Sequence, residues 1–117
     1  MRKEELIERT KSFAHRCVKL AVVLPKTALG NHIKRQLIRC STSVAANYRA
    51  ACHGQTKAAF VHKISIVIEE ADESEFWLEF IIDEKLKSKK MVEDLRKEAY
   101  ELTSIFIKSR KTAQKNL

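Results

Sequence analysis

Two glycines and one proline stand among 117 residues, so the chain lacks the turn residues that a protein of many short strands requires. That scarcity argues for helices. The three cysteines, Cys17, Cys40 and Cys52, are odd in number and show no CxxC spacing. Neither a disulfide framework nor a zinc site is indicated, and free, buried thiols are the expectation. No run approaches the roughly 18 apolar residues of a membrane span. Residues 1 to 24 are interrupted throughout by Arg, Lys and Glu, unlike the apolar region of a signal peptide. A cytoplasmic location is therefore expected.

Hydrophobic residues make up 44% of the chain and charged residues 32%, too apolar for disorder and too charged for a membrane protein. The length suits a single domain over residues 1–117, because one core grows to roughly 100 to 200 residues before splitting. Lys and Arg outnumber Asp and Glu by 23 to 15, a formal net charge of +8, with a pI of about 9.6.

Four helical runs follow from the spacing of apolar positions. Leu6, Thr10, Phe13, Cys17, Leu20 and Leu24 step by 4, 3, 4, 3, 4, the rhythm of one helix face. The first helix is thus predicted over about 3–23, stopped by Pro25. Gly30 and Asn31 mark the next start, with Asn31 as the cap. The second helix is predicted over 31–52, with Ile33, Leu37, Cys40, Val44, Tyr48 and Ala51 inside. The third is predicted over 57–84, capped by Thr56, on the stripe Phe60, Ile64, Val67, Ala71, Ser74, Leu78 and Ile81. The fourth is predicted over 89–110, capped by Ser88, on Val92, Leu95, Ala99, Leu102 and Phe106, with the terminal "SRKTAQKNL" as a frayed basic tail. Four amphipathic helices with short connections bury their stripes as an all-α, antiparallel up-and-down four-helix bundle.

The third helix has more apolar surface than one stripe. Residues 63 to 80 hold six carboxylates beside Phe76, Trp77 and Phe80. Phe76 and Phe80 point away from the inner stripe, and a second aromatic face calls for a cover. In so small a chain that cover is expected to be another subunit; the alternative is packing under a loop or the tail. Glu70, Glu73 and Trp77 share one side of the helix and are expected to bond to bases on a neighbouring chain. The matching bases are close by. Residues 27 to 58 hold Lys34, Arg35, Arg39, Arg49 and Lys57 and no acid, whereas 59 to 83 hold seven acids and one lysine. Such segregation suits pairing across subunits or an open cationic surface for phosphates.

The run "QLIRCSTSVAANYRAACHGQTKAAFVHKISIVIEEADESEFWLEFI", residues 36–81, resembles the small four-helix-bundle proteins associated with intervening sequences of bacterial 23S ribosomal RNA genes. The landmarks are Gln36, Arg39, Ser43, the "ANYRAA" of 46–51, Phe60, Lys63, Glu70, Glu73 and the triplet Trp77, Leu78, Glu79. The resemblance implies an all-α bundle that assembles as a ring-like homopentamer. Related proteins include the accessory protein of diversity-generating retroelements, a basic bundle similar to nucleic-acid-binding scaffolds that works with a reverse transcriptase. Many members carry an acid where this chain has Ala50, so no role for that carboxylate is carried over.

Catalytic constellations are wanting. None of His15, His32, His53 or His62 has an acid three residues before it, as a ferritin-like di-metal bundle requires. Cys52 and His53 are helix neighbours pointing roughly 100° apart, which forbids a nucleophilic dyad. No GxxxxGK or GxGxxG loop is present. There remain the arginines of the second helix: Arg35, Arg39 and Arg49 lie within about 80° of one another opposite the inner stripe. Clustered cations bind phosphate backbones by releasing counterions; the plainer alternative is a solvated helix face. The expectation is a non-enzymatic, homo-oligomeric bundle binding RNA or DNA backbones through Lys34, Arg35, Arg39 and Arg49, without cofactor or metal. Its oligomer interface is expected at Glu70, Glu73, Phe76, Trp77 and Phe80. The alternative is a protein-interaction scaffold, such as a partner of a reverse transcriptase or another RNA enzyme.

Overall fold

Each apolar stripe read along the chain becomes the inner face of one helix. The computed structural model describes residues 1–54 and 56–116; Gln55 and Leu117, the last residue of the basic tail, lie outside them. Helix α1 spans Lys3–Val22, α2 Ala28–Cys52, α3 Lys57–Asp83 and α4 Lys89–Lys115, and the described residues contain no strand. At about 1.5 Å per residue the two 27-residue helices are roughly 40 Å long, which accounts for extents of 47 × 20 × 19 Å. Each helix packs on the next in the chain, and α1 meets α4 to close the circuit. Between α3 and α4, Glu75 meets Arg96 and Ser65 meets Arg110.

Phe13, Ile33, Leu37, Val44, Ile64, Leu78, Ile81, Leu102 and Phe106 are fully buried. Each such side chain contributes about 1.5–3 kcal/mol relative to exposure. Tyr48 of α2 and Phe106 of α4 meet across the middle, ring centroids 5.0 Å apart. Phe60 of the predicted stripes is only half-buried, because it lies near the open start of α3. Polar groups in the core are small; Thr10 and Ser74 are locally satisfied, whereas the buried Ser41 hydroxyl has no hydrogen-bond partner among the described residues. The Thr10 hydroxyl donates to the Leu6 carbonyl at 2.9 Å, and the Ser74 hydroxyl to the Glu70 carbonyl at 2.8 Å.

Two boundaries differ from the spacing argument by more than one residue. Helix α2 begins at Ala28, not Asn31, because Thr27 is the cap: the Gly30 amide donates to its Oγ1 at 3.0 Å. Gly30 is required for a different reason than helix punctuation. A Cβ there would lie 1.9 Å from the Pro25 carbonyl oxygen, so only glycine lets the start of α2 sit against the end of the α1 turn. Helix α4 continues to Lys115 instead of fraying after 110. No Gly or Pro interrupts it, and Lys115 in its last turn favours the negative end of the helix dipole. The Thr56 and Ser88 caps match the sequence, accepting from Ala59 at 3.0 Å and Met91 at 3.3 Å.

The end of α3 is a Schellman turn. The Lys85 amide reaches the Ile82 carbonyl and the Leu86 amide the Ile81 carbonyl, both at 3.0 Å, with Lys85 at φ 54°. A lysine thus occupies the left-handed position that glycine fills without strain.

Two outcomes follow for thermal or urea unfolding. Thr27→Ala lowers stability by about 1 kcal/mol, while Asn31→Ala leaves it nearly unchanged. Lys85→Gly raises the unfolding midpoint, since relief of the left-handed strain of about 1–2 kcal/mol exceeds the added freedom of the unfolded chain.

Candidate nucleic-acid interface

The acid-free helix α2 distributes its four cations over three directions. Arg39 lies on the flank that faces α3, where its guanidinium reaches Glu70 at 2.9 Å and also pairs with Glu73. Its Nε donates to Gln36 at 3.2 Å. Arg49 lies on the opposite flank and lines a groove between α1 and α2. Lys34 and Arg35 are exposed one and a half to two turns into the helix, and no ion pair among the described residues involves Lys34, Arg35 or Arg49. A single face of four free cations is therefore not what the fold presents. The wheel angle alone treats the back of α2 as uniform, but α3 reaches round one side of it and captures Arg39.

Glu70 and Glu73 accordingly have their base inside the chain. The Trp77 indole N–H donates to the same Glu73 carboxylate at 3.1 Å. Burial works to raise the Glu73 carboxyl, but the hydrogen bonds from Arg39 and Trp77 outweigh it and hold the group below the ordinary carboxylate value. The Arg39 guanidinium is raised in turn, chiefly by its hydrogen bond to Glu73, against a smaller opposing effect of burial.

The aromatic group is continuous. Trp77 meets His32 of α2 edge-on at 5.4 Å and Phe76 at 4.9 Å, and Phe80 lies 5.9 Å from Trp77. Trp77 and Phe80 are half-buried against the core, whereas Phe76 remains 50% exposed. Of the three aromatics, Phe76 is the one that projects.

Two further arginine clamps went unread in the sequence. Arg9 of α1 holds Glu98 at 2.7 Å and Glu101 at 2.9 Å on α4. Arg96 of α4 holds Glu75 of α3 at 3.0 Å and pairs with Glu93 on its own helix. Burial leads the causes that raise the Glu75 carboxyl, with Glu79 and Asp72 adding to it and Arg96 opposing. Helix pairs α1/α4, α2/α3 and α3/α4 each carry such a clamp; the α1/α2 pair has none among the described residues. A sequence signal for this asymmetry exists. No acid occurs between Glu8 and Glu69, so the facing flanks of α1 and α2 have none to offer each other beyond the first turns of α1.

No three His, Cys, Asp or Glu side chains come together as metal ligands among the described residues. Cys17 and Cys40 are buried and Cys52 half-buried, all free. Burial pushes the Cys40 thiol up to about 11 and raises Cys17 further, the opposite of a reactive thiolate. No described helix is long and apolar enough to cross a membrane.

The Arg39 clamp makes stability depend on pH. Glu73 has a folded-state pKa below its unfolded value, so its contribution is present above the ordinary carboxylate pKa of about 4.3 and is lost as pH falls through the folded value. Glu75 has the opposite sign and is relieved by protonation. Arg39→Ala therefore costs on the order of 1 kcal/mol at neutral pH, limited by the exposure of the pair. The gap between wild type and variant narrows in urea unfolding as pH falls through the lowered folded-state value of Glu73.

Comparison with known proteins completes the picture. No curated protein matches the chain. A solved structure described as a protein with unknown function from the S23 ribosomal protein family of Bacteroides thetaiotaomicron is similar, with 29% sequence identity and a TM-score of 0.86. The likeness covers 95% of this chain and 99% of that one. The family described as 23S rRNA-intervening sequence protein matches residues 2–108. With four helices in place and nearly the whole length matched, this chain belongs to the 23S rRNA-intervening sequence protein family.

Proposed function

We propose that this chain is a non-enzymatic, cytoplasmic, up-and-down helical bundle that assembles with copies of itself, pentameric by resemblance, and binds the backbone of RNA or DNA. The observation that carries the proposal is the 25-residue helix α2, which has no acid and presents Lys34 and Arg35 to solvent without ion pairs among the described residues. Phosphate contacts reward such unneutralised cations, whereas a paired arginine has little left to offer. Arg39, committed to Glu70 and Glu73, is thereby removed from the binding surface, and Arg49 contributes only where the α1/α2 groove is open. Lys108, Lys111 and Lys115 of α4 are further exposed cations, at the other end of the bundle from Lys34 and Arg35. Affinity of this kind is sequence-independent. The family's description, which concerns 23S ribosomal RNA, favours RNA as the first ligand to test. A protein-interaction scaffold, for example an accessory partner of a reverse transcriptase or another RNA enzyme, is favoured by one different observation, the half-exposed Phe76.

Titration with unrelated RNA and DNA at several salt concentrations separates the two. A backbone binder loses affinity linearly in log salt with a slope of about −0.7 to −0.9 per phosphate neutralised. Lys34→Ala with Arg35→Ala flattens that slope by about 1.5, and Arg39→Ala changes it far less. Absence of binding at low salt would overturn the proposal in favour of the scaffold.

A further inference from the structure

Helix α3 has a second organised face besides the one buried in the core. Glu69, Asp72, Phe76, Glu79 and Asp83 step by 3, 4, 3, 4, so they stack along one flank over roughly 21 Å. All five are exposed. Unlike Glu70, Glu73 and Glu75, these four acids enter no ion pair among the described residues. Phe76 stands in their midst, 50% exposed and steadied by Trp77 at 4.9 Å and Phe80 at 5.8 Å.

The α1/α2 groove has the complementary properties. It is an open hollow of about 610 Å³ between the two helices that lack an arginine clamp. Ile7 and Val18 form its apolar wall on α1, and the short side chains of Ala45 and Ala46 leave the space on α2. Lys11, His15 and Arg49 rim it, all exposed, against the single acid Glu8. Neither Lys11 nor Arg49 is ion-paired among the described residues.

From this match of shape and charge we infer that the Phe76 stripe of one copy docks into the α1/α2 groove of a second copy. Phe76 fills the hollow over Ala45 and Ala46, while the acids of the stripe meet Lys11, His15 and Arg49. An apolar centre within a charged rim is the anatomy of a specific contact. Each copy offers one groove and one stripe on different sides, so the contact is head to tail and propagates until a ring closes or a filament grows. The inference rests on the self-association proposed above and adds which surfaces meet. It also turns Arg49 toward carboxylates and leaves Lys34 and Arg35 as the α2 cations available to phosphate.

Light scattering without nucleic acid tests it, using two charge-reversed proteins. One reverses the groove, Lys11→Glu with Arg49→Glu; the other reverses the stripe, Asp72→Lys with Glu79→Lys. All four positions are exposed, and circular dichroism checks that the helices persist. Wild type is expected to exceed the single-chain mass and each reversed protein alone to fall to it. An equimolar mixture of the two regains association, because each then finds its opposite sign on the other. A single-chain mass for wild type defeats self-association and this docking together while leaving nucleic-acid binding to its own titration. Reversed proteins that keep the wild-type mass, or a mixture that stays at the single-chain mass, defeat the docking alone.

Discussion

Phe13, Ile33, Leu37, Phe106 and their neighbours meet along one axis with no exposure to water, and the position of every other group depends on that contact. Each helix has an apolar stripe it cannot leave in water, and each stripe is covered by the other three. With four helices of 20 to 27 residues the stripes run the length of the bundle, so sliding one helix by a turn would uncover several large side chains at once. The interior is dense enough that polar groups are admitted only where they are small. Thr10 and Ser74 are tied to their own helix backbones, and the Cys17 and Cys40 thiols behave as modest apolar side chains.

Around this core the arginines do a different task from the lysines. Arg9, Arg39 and Arg96 each hold two carboxylates, in every case with at least one on a neighbouring helix. The planar fork of a guanidinium suits that geometry, whereas a lysine ammonium is a single hydrated point charge. Individually such half-exposed pairs stabilise little. Together they align three of the four helix interfaces and neutralise three cations. The interface without a clamp, α1/α2, stays open as a groove, and its cations stay unpaired.

The separation of charge along the chain thereby acquires a spatial meaning. A stretch without acids from residue 9 to residue 68 builds most of α1, all of α2 and the start of α3, while the acids gather on later α3 and on α4. Two arginines, Arg9 and Arg39, cross between these regions, and with Arg96 inside the acidic one they neutralise some of the acids. What remains is a basic flank with Lys34 and Arg35 and an acidic outer stripe on α3, surfaces of opposite sign on one small molecule.

Much of this was visible before any coordinates. The 4, 3 rhythm commits each helix to one inner face, and with the exception of half-buried Phe60 the inner stripes are buried. The Thr56 and Ser88 caps, the stop at Pro25 and the projection of Phe76 also follow from neighbours within a few residues. The start of α2 did not, because Thr27 and Asn31 are both capable caps and the choice was made by the Pro25 carbonyl resting on Gly30. The partners of Arg39 lie 31 and 34 residues away, and the α1/α2 groove joins segments some 30 residues apart. Helical periodicity is a local property and can be read along the chain. Which cation is neutralised and which hollow stays open depend on how separate helices are brought side by side, and burial of the shared core is what brings them there.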